Sequence, residues 1–226
     1  MAKDNCTSHR ASDYDAQVRQ TIPYYEAFHA ATLELVQAWG VPRRWLDTGC
    51  GTGTLTARAL PLFPATTFLL TDPAPDMLAL ARETLAGAAR VTVLDPYPTQ
   101  ALSRAVTGEC DVITAIQAHH YLSSSQRAVA TEVCYTLLAP GGLYITFENM
   151  RPATADGLAL GMARWGSYQR EHGRSPAAVT AHQSRFDVEY FPLSIADHLT
   201  LLRATGFRCV EVLWVSVMQA GFYAIK

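Results

Sequence analysis

The sequence predicts an α/β protein built on an open, mostly parallel sheet with helices on both faces. Three observations carry this. Short apolar runs near 44–48, 67–71, 90–94, 111–116 and 142–147 alternate with helical stretches near 53–60, 75–86, 99–106 and 124–138, which is the rhythm of successive βαβ units. Gly49, Gly51 and Gly53 crowd the first strand-to-helix junction, where glycine lets the backbone turn tightly and approach a ligand. The chain closes with two strands near 207–215 and 217–225. Their junction is too short for a crossover helix, so they pair antiparallel at the sheet edge.

Taken in order, Tyr14, Val18, Ile22, Tyr25, Phe28, Val36 and Trp39 recur at three-or-four spacing and mark one helical face. Pro23 interrupts that face, which predicts a short helix, a break at 21–22 and a second helix with Pro23 in its first turn. Beyond Glu148 the strand–helix rhythm stops. Residues 151–192 hold Trp165, Tyr168, Phe186, Tyr190 and Phe191 among five arginines and read as one or two helices and a loop outside the sheet. A helix near 194–205 ends at Gly206, a C-cap residue. At about 150 residues per domain, 226 residues amount to one and a half domains. The expected organisation is therefore one domain, 1–226, with a helical arm (1–40) and a helical cap (151–192) folded over the same sheet edge to close a pocket.

Composition narrows the function. With 18 basic and 20 acidic residues the net charge is -2, without the basic excess of a protein that grips nucleic acid through phosphates. Residues 1–12 lack the apolar core of a signal peptide, and no apolar run reaches the 18 or so residues of a membrane span. Cys6, Cys50, Cys110, Cys134 and Cys209 are widely spaced, form no C-x-x-C and read as reduced cytoplasmic thiols. These features point to a cytoplasmic protein, monomer or homodimer, that handles a small molecule, with no nucleic-acid, membrane or metal partner.

The sharpest motif is Trp45-Leu46-Asp47-Thr48-Gly49-Cys50-Gly51-Thr52-Gly53. A dinucleotide fingerprint needs a third glycine at Thr54 or Thr56, and neither register supplies one. Asp47, placed where the charged part of a ligand lies, repels a pyrophosphate and attracts an ammonium or sulfonium. A cationic nucleoside is favoured, and an NAD oxidoreductase is the outside option. The second strand ends at Asp72-Pro73, where an acid accepts from both ribose hydroxyls. The third ends at Asp95-Pro96, placed to accept from an exocyclic adenine amine. The fourth runs through Ile116 into His119-His120, and Pro140-Gly141-Gly142 precedes the fifth.

This order of pieces, over 41–150 and 194–226, resembles the class I S-adenosylmethionine-dependent methyltransferases, whose fold is a Rossmann-like seven-stranded sheet with a C-terminal antiparallel β-hairpin. The resemblance implies S-adenosyl-L-methionine as cofactor and S-adenosyl-L-homocysteine as product. It places Asp47 and the backbone of Gly49, Cys50 and Gly51 on the methionine part, and Asp72, with Pro73 beside it, on the ribose. Met77 would pack on adenine, Asp95, with Pro96 beside it, would face its amine, and Ile116 would contact the cofactor through its main chain. Within that family the chain is similar to the branch containing carboxy-S-adenosylmethionine synthase, which carries a Pro-x-Tyr on its N-terminal helix, here Pro23-Tyr24-Tyr25, so Tyr25 joins the cofactor site. The arginine by which the synthase holds its extra carboxylate aligns with Leu201, while Arg203 is displaced by two residues.

The expected function is methyl transfer to an O, N or S nucleophile of a small molecule. A neutral acceptor needs a base, and the candidates are His119 or His120 with Tyr14 approaching from the N-terminal helix. Two alternatives are modification of S-adenosylmethionine itself, as in the synthase, and a non-catalytic nucleoside-binding module. His172 and His182 are expected at the surface.

Overall fold

The structure, a computed structural model, describes Thr7 and residues 9–226. After a 3-10 turn at Ala11–Asp13 come α1 (Tyr14–Thr21), α2 (Tyr25–Trp39), β1 (Arg44–Thr48), α3 (Thr54–Ala59), β2 (Thr67–Thr71), α4 (Pro75–Thr84) and β3 (Val91–Val93). The second half adds α5 (Arg104–Thr107), β4 (Cys110–Ile116), α6 (Ser124–Leu137), β5 (Leu138–Asn149), α7 (Ala155–Glu171), α8 (Pro176–Gln183), α9 (Ile195–Thr205), β6 (Cys209–Val215) and β7 (Gln219–Ile225). The seven strands lie in the order β3-β2-β1-β4-β5-β7-β6. The first five are parallel, and β7 runs antiparallel to both β5 and β6. This is the expected α/β architecture, and the sheet reverses its strand order between β1 and β4, where ligands lie in open sheets of this kind.

Both faces of the central strands are covered, so their residues are apolar almost without alternation. One face packs Phe28 and Val36 of α2 on Trp45, Phe68 and Phe147. The other packs Cys134 and Leu137 of α6 and Leu202 of α9 on Leu46, Ile113, Tyr144 and Phe222. Helix starts follow local chemistry: a reciprocal Ser123–Gln126 capping box opens α6, and Thr154, Ser175 and Ser194 cap α7, α8 and α9.

Three expectations shift. Pro23 falls in the turn before α2, because Tyr24 adopts φ 58 and reverses the chain there. The helix expected at 99–106 is a 3-10 turn at Thr99–Ala101 and the single turn of α5, separated by the extended Leu102 (ψ 149). Finally, β5 begins before the Pro-Gly-Gly segment: pairing to β4 jumps from Cys110↔Leu138 to Val112↔Leu143, and residues 139–142 bulge out. Cys50, Cys110, Cys134 and Cys209 are free thiols, and Cys6 lies outside the described residues. No described helix is long and apolar enough to cross a membrane.

The arm and the cap are bound to each other across the chain. Trp165 on α7 is fully buried and donates its indole N–H to the Thr21 carbonyl at 2.6 Å. The Tyr168 hydroxyl donates to the Arg19 carbonyl at 3.0 Å, and Arg174 reaches the Thr21 hydroxyl.

Candidate functional site

β1 ends at Thr48 and enters the glycine turn. Gly49 adopts φ +67, and a Cβ there would stand 2.5 Å from the Cβ of Ala118, so only glycine lets the β1 and β4 loops close on one another. The turn spends its own donors internally. Cys50 N–H bonds the Thr71 carbonyl at 3.1 Å, Gly53 N–H bonds the Cys50 carbonyl at 3.0 Å, and Gly51 N–H bonds the Asp72 carboxylate at 3.0 Å. Asp72 also accepts from Ala74 N–H at 2.9 Å, and so ties the tip of β2 to the turn. α1 is clamped onto the same turn, because Asp15 accepts from the hydroxyls of Thr52 (2.9 Å) and Thr54 (3.3 Å).

Beneath α1 lies a narrow cleft whose lining includes Tyr14, Tyr25, His29, Asp47, Gly51 and Ile116. Asp47 accepts from the Thr114 hydroxyl at 2.7 Å, and that hydroxyl accepts from the Trp45 indole at 3.0 Å. Burial pushes the Asp47 carboxyl up to about 7 and nearby Asp72 adds to this, against the Thr114 hydrogen bond. Burial also raises Asp72. The Tyr14 phenol, hydrogen-bonded to Tyr25, lies well above its usual range, chiefly through desolvation.

A second narrow cavity adjoins the first; its lining includes Tyr14, Gln117, Tyr121, Asn149, Arg185 and Tyr190. Tyr14 lines both. Gln117 holds φ 56, a left-handed backbone that costs a residue with a Cβ about 1–2 kcal/mol. Its N–H, bonded to the Phe147 carbonyl at 2.6 Å, fixes it there.

The structure therefore gathers Tyr14, Tyr25, Asp47, Gly49, Cys50, Gly51 and Ile116 around one cleft. It does not bring the adenine-side set to that cleft. Pro73, Asp95 and Pro96 are exposed, and Asp95 contributes only its carbonyl, to the Thr71 hydroxyl at 2.9 Å. Met77 is buried against Ala74 and Ala11 of the N-terminal turn, which occupies the space beside it.

The two histidines lie behind the site and line neither cavity. His119 has both ring nitrogens engaged, Nε2 with Thr99 (3.1 Å) and Nδ1 with Tyr144 (3.2 Å), and burial lowers its pKa to about 4. His120 directs Nδ1 to Glu148 at 2.8 Å, and its Nε2 takes the Asn149 amide at 3.2 Å. Burial works to raise the Glu148 carboxyl, but the His120 hydrogen bond and the charge of the surrounding imidazoles hold it well below the usual range. Both histidines sit in the buried 3-10 turn His119–Tyr121, whose N–H groups bond the Glu148 carboxylate, and these contacts hold the rings away from the cavities. His182, expected at the surface, is buried under Trp165 and pairs with the Gln169 amide at 3.2 Å. His172 is exposed at the end of α7. No cluster of metal-ligating side chains occurs among the described residues.

Sequence reasoning missed His29, Gln117, Asn149 and Arg185. His29 and Gln117 each keep a buried nitrogen without a partner among the described residues. His29 follows Tyr25 by one helical turn on α2 and so shares its face, the signal by which the sequence could have shown it.

Residues 46–144 match the family model described as a methyltransferase domain. The carboxy-S-adenosyl-L-methionine synthase of Trichodesmium erythraeum is 23% identical over 215 residues, covering 94% of this chain and 85% of its own. Among solved structures, an O-methyltransferase family protein from Burkholderia thailandensis superposes with TM-score 0.65 at 17% identity, over 94% of this chain. Human N-acetylserotonin methyltransferase superposes with TM-score 0.60 at 14% identity, over 96%. The chain spans 57% and 58% of the length of those two structures. At these identities they share the sheet and its helices with this chain.

Proposed function

With residues 46–144 a methyltransferase domain set on a class I sheet, and S-adenosylmethionine the cofactor of such enzymes, we propose that this chain transfers the cofactor's methyl group to a nucleophile of a small molecule seated in the second cavity. The observation that carries the proposal is the shared Tyr14 wall between the cleft at the glycine turn and that cavity.

The residues around the cleft suit the methionine end of the cofactor. Three N–H groups of the glycine turn are already bonded, to Thr71, Cys50 and Asp72, which leaves it a poor cradle for an anion. The cleft instead offers Asp47, with Asp72 behind the turn, which suits an ammonium and a sulfonium. A Cβ on Gly51 would stand 3.9 Å from the Tyr14 ring, so the missing side chain leaves room under α1. When bound, S-adenosylmethionine supplies an electrophilic methyl carbon on its sulfonium.

The protein's part is binding, alignment and exclusion of water, which account for several kcal/mol in reactions of this type. Asp47 anchors charge on the floor, Tyr14 and Tyr25 close the cleft from the arm, and the cap covers the second cavity. The imidazoles that line the acceptor side, His9 and His182, are weak bases, their pKa values lowered chiefly by burial to about 4 and about 3. His119 is locked on Thr99 and Tyr144, and the Tyr14 phenol holds its proton. His120 acts through Asn149, which it positions by a hydrogen bond. The arrangement favours an acceptor atom that is already a nucleophile without deprotonation by the protein.

A second reading, modification of the cofactor itself, is favoured by the relationship to carboxy-S-adenosyl-L-methionine synthase. Against it, Arg203 is exposed on α9 and lines neither cavity. Mass spectrometry of nucleoside retained by the purified protein separates the two. S-adenosylmethionine or S-adenosylhomocysteine supports methyl transfer, and a carboxylated sulfonium supports the second reading. No retention after incubation with S-adenosylmethionine contradicts both.

A further inference from the structure

The second cavity has a chemical character of its own. We infer that it binds the carboxylate of an acceptor molecule, with Gln117 and Arg185 as the groups that recognise it; this rests on the acceptor role given to that cavity above.

Among the described residues, the side chains lining it supply one full charge, that of Arg185, and no carboxylate. Arg185 is nearly buried, 8% exposed, with its Nε on Glu189 at 2.9 Å and its guanidinium 5.9 Å from the Tyr190 ring. A second cation stands at the edge, where Arg174 reaches the hydroxyl of Thr21, another lining residue. Glu148, the buried acid nearest to Asn149 in the chain, is turned away and saturated. Its oxygens accept from the Thr146 hydroxyl (2.6 Å), from the N–H groups of His119 (3.2 Å) and His120 (2.8 Å), and from the His120 ring (2.8 Å). Asn149 is likewise committed to His120 and Gln219, both at 3.2 Å.

Gln117 differs from these. It is 9% exposed and lines the cavity, and its Nε2 has no partner among the described residues. A buried amide N–H₂ without an acceptor is costly to keep, and a left-handed glutamine at a strand tip is the kind of backbone outlier that collects at ligand sites. An oxygen acceptor from outside the chain satisfies that donor. Where the other charge at the wall is a guanidinium, a carboxylate serves both, since charged acceptors make the shorter and stronger hydrogen bonds. Tyr14, Tyr121 and Tyr190 supply aromatic walls for the remainder of the molecule. Burial, with the nearby Arg174 and Arg185, depresses the pKa of His182 to about 3 and that of His9 to about 4, in keeping with a cavity of positive potential.

The test is calorimetric titration of the full-length protein, with and without saturating S-adenosylhomocysteine, using benzoate and phenylacetate against benzamide and phenylacetamide. The carboxylates are expected to bind about tenfold or more tightly than their amides, the worth of one charged hydrogen bond. Gln117→Leu and Arg185→Met should each remove about that factor for the carboxylates and leave S-adenosylhomocysteine affinity unchanged. If Arg185→Met does not fold, Gln117→Leu and the wild-type comparison decide. Equal binding of acids and amides, or no binding of either, overturns the inference. Failure of S-adenosylhomocysteine to bind while the carboxylate preference persists counts instead against the cofactor reading of the first cleft.

Discussion

Replacing Gly49 with alanine tests how the cofactor cleft is built. Two separate costs meet at this position. The backbone at φ +67 is left-handed, where a Cβ costs about 1–2 kcal/mol. The added methyl would also lie 2.5 Å from the Cβ of Ala118, and overpacking of that kind costs about 1–3 kcal/mol. Together they give a loss of about 2–5 kcal/mol. For a chain of this size, that lowers the melting temperature by roughly 5–15 °C. Differential scanning calorimetry reads the shift directly. The double variant Gly49→Ala/Ala118→Gly separates the two causes, because it removes the clash and leaves the backbone cost, so about half of the loss should return. Because Gly49 itself lines the cofactor cleft, the single variant should also weaken nucleoside binding, measured by equilibrium dialysis. A Gly49→Ala protein that melts with wild type, or a double variant that recovers nothing, refutes this account of the turn.

Further expectations follow from the buried titratable groups and the arm. Asp47 titrates at about 7 because it is buried, and only its ionised form attracts a cation, so S-adenosylmethionine affinity should climb as pH rises from 6 to 8, with Asp47→Asn flattening the profile. Burial lowers the pKa of His29, His119 and His198 to about 4. A depressed histidine contributes stability that is fully present above the unfolded value of 6.5 and is lost as pH falls toward 4, so thermal melts should drop steeply across pH 6.5 to 4. Glu148→Gln breaks a fully buried pair with His120 and should cost about 3–5 kcal/mol in urea unfolding. Trp165→Ala removes a buried indole and its bond to the Thr21 carbonyl. It should cost about 3–5 kcal/mol and expose the arm to limited proteolysis.

Much of the fold was legible because it rests on local signals. The apolar runs of β1, β2 and β4 fall within a residue of expectation, since strands buried on both faces leave continuous hydrophobic stretches. Asp47 and the glycine turn were legible for the same reason, being one contiguous motif at a strand tip. The rest depends on contacts far apart in sequence. Trp165 meets Thr21 across 144 residues, and nothing near either residue announces it. His119 and His120 were read as candidate bases because they follow β4, but bonds to Thr99, Tyr144 and Glu148, 20 to 29 residues away in the chain, hold them behind the site. Met77 occupies its expected place on α4, yet its neighbour is Ala11 from the N-terminal turn, a contact no pattern within 75–84 could show. His182 read as polar and external, although burial under Trp165 and a bond to Gln169 make it part of the cap's core.

We propose that the electronegative cleft at the glycine turn holds a sulfonium nucleoside through Asp47. Isothermal titration of wild type and Asp47→Asn with S-adenosylmethionine at pH 8 tests it most directly. One bound equivalent per chain, weakened about tenfold or more by Asp47→Asn, is the predicted result. Absence of binding heat in the wild type, or equal affinity in the two proteins, would contradict it.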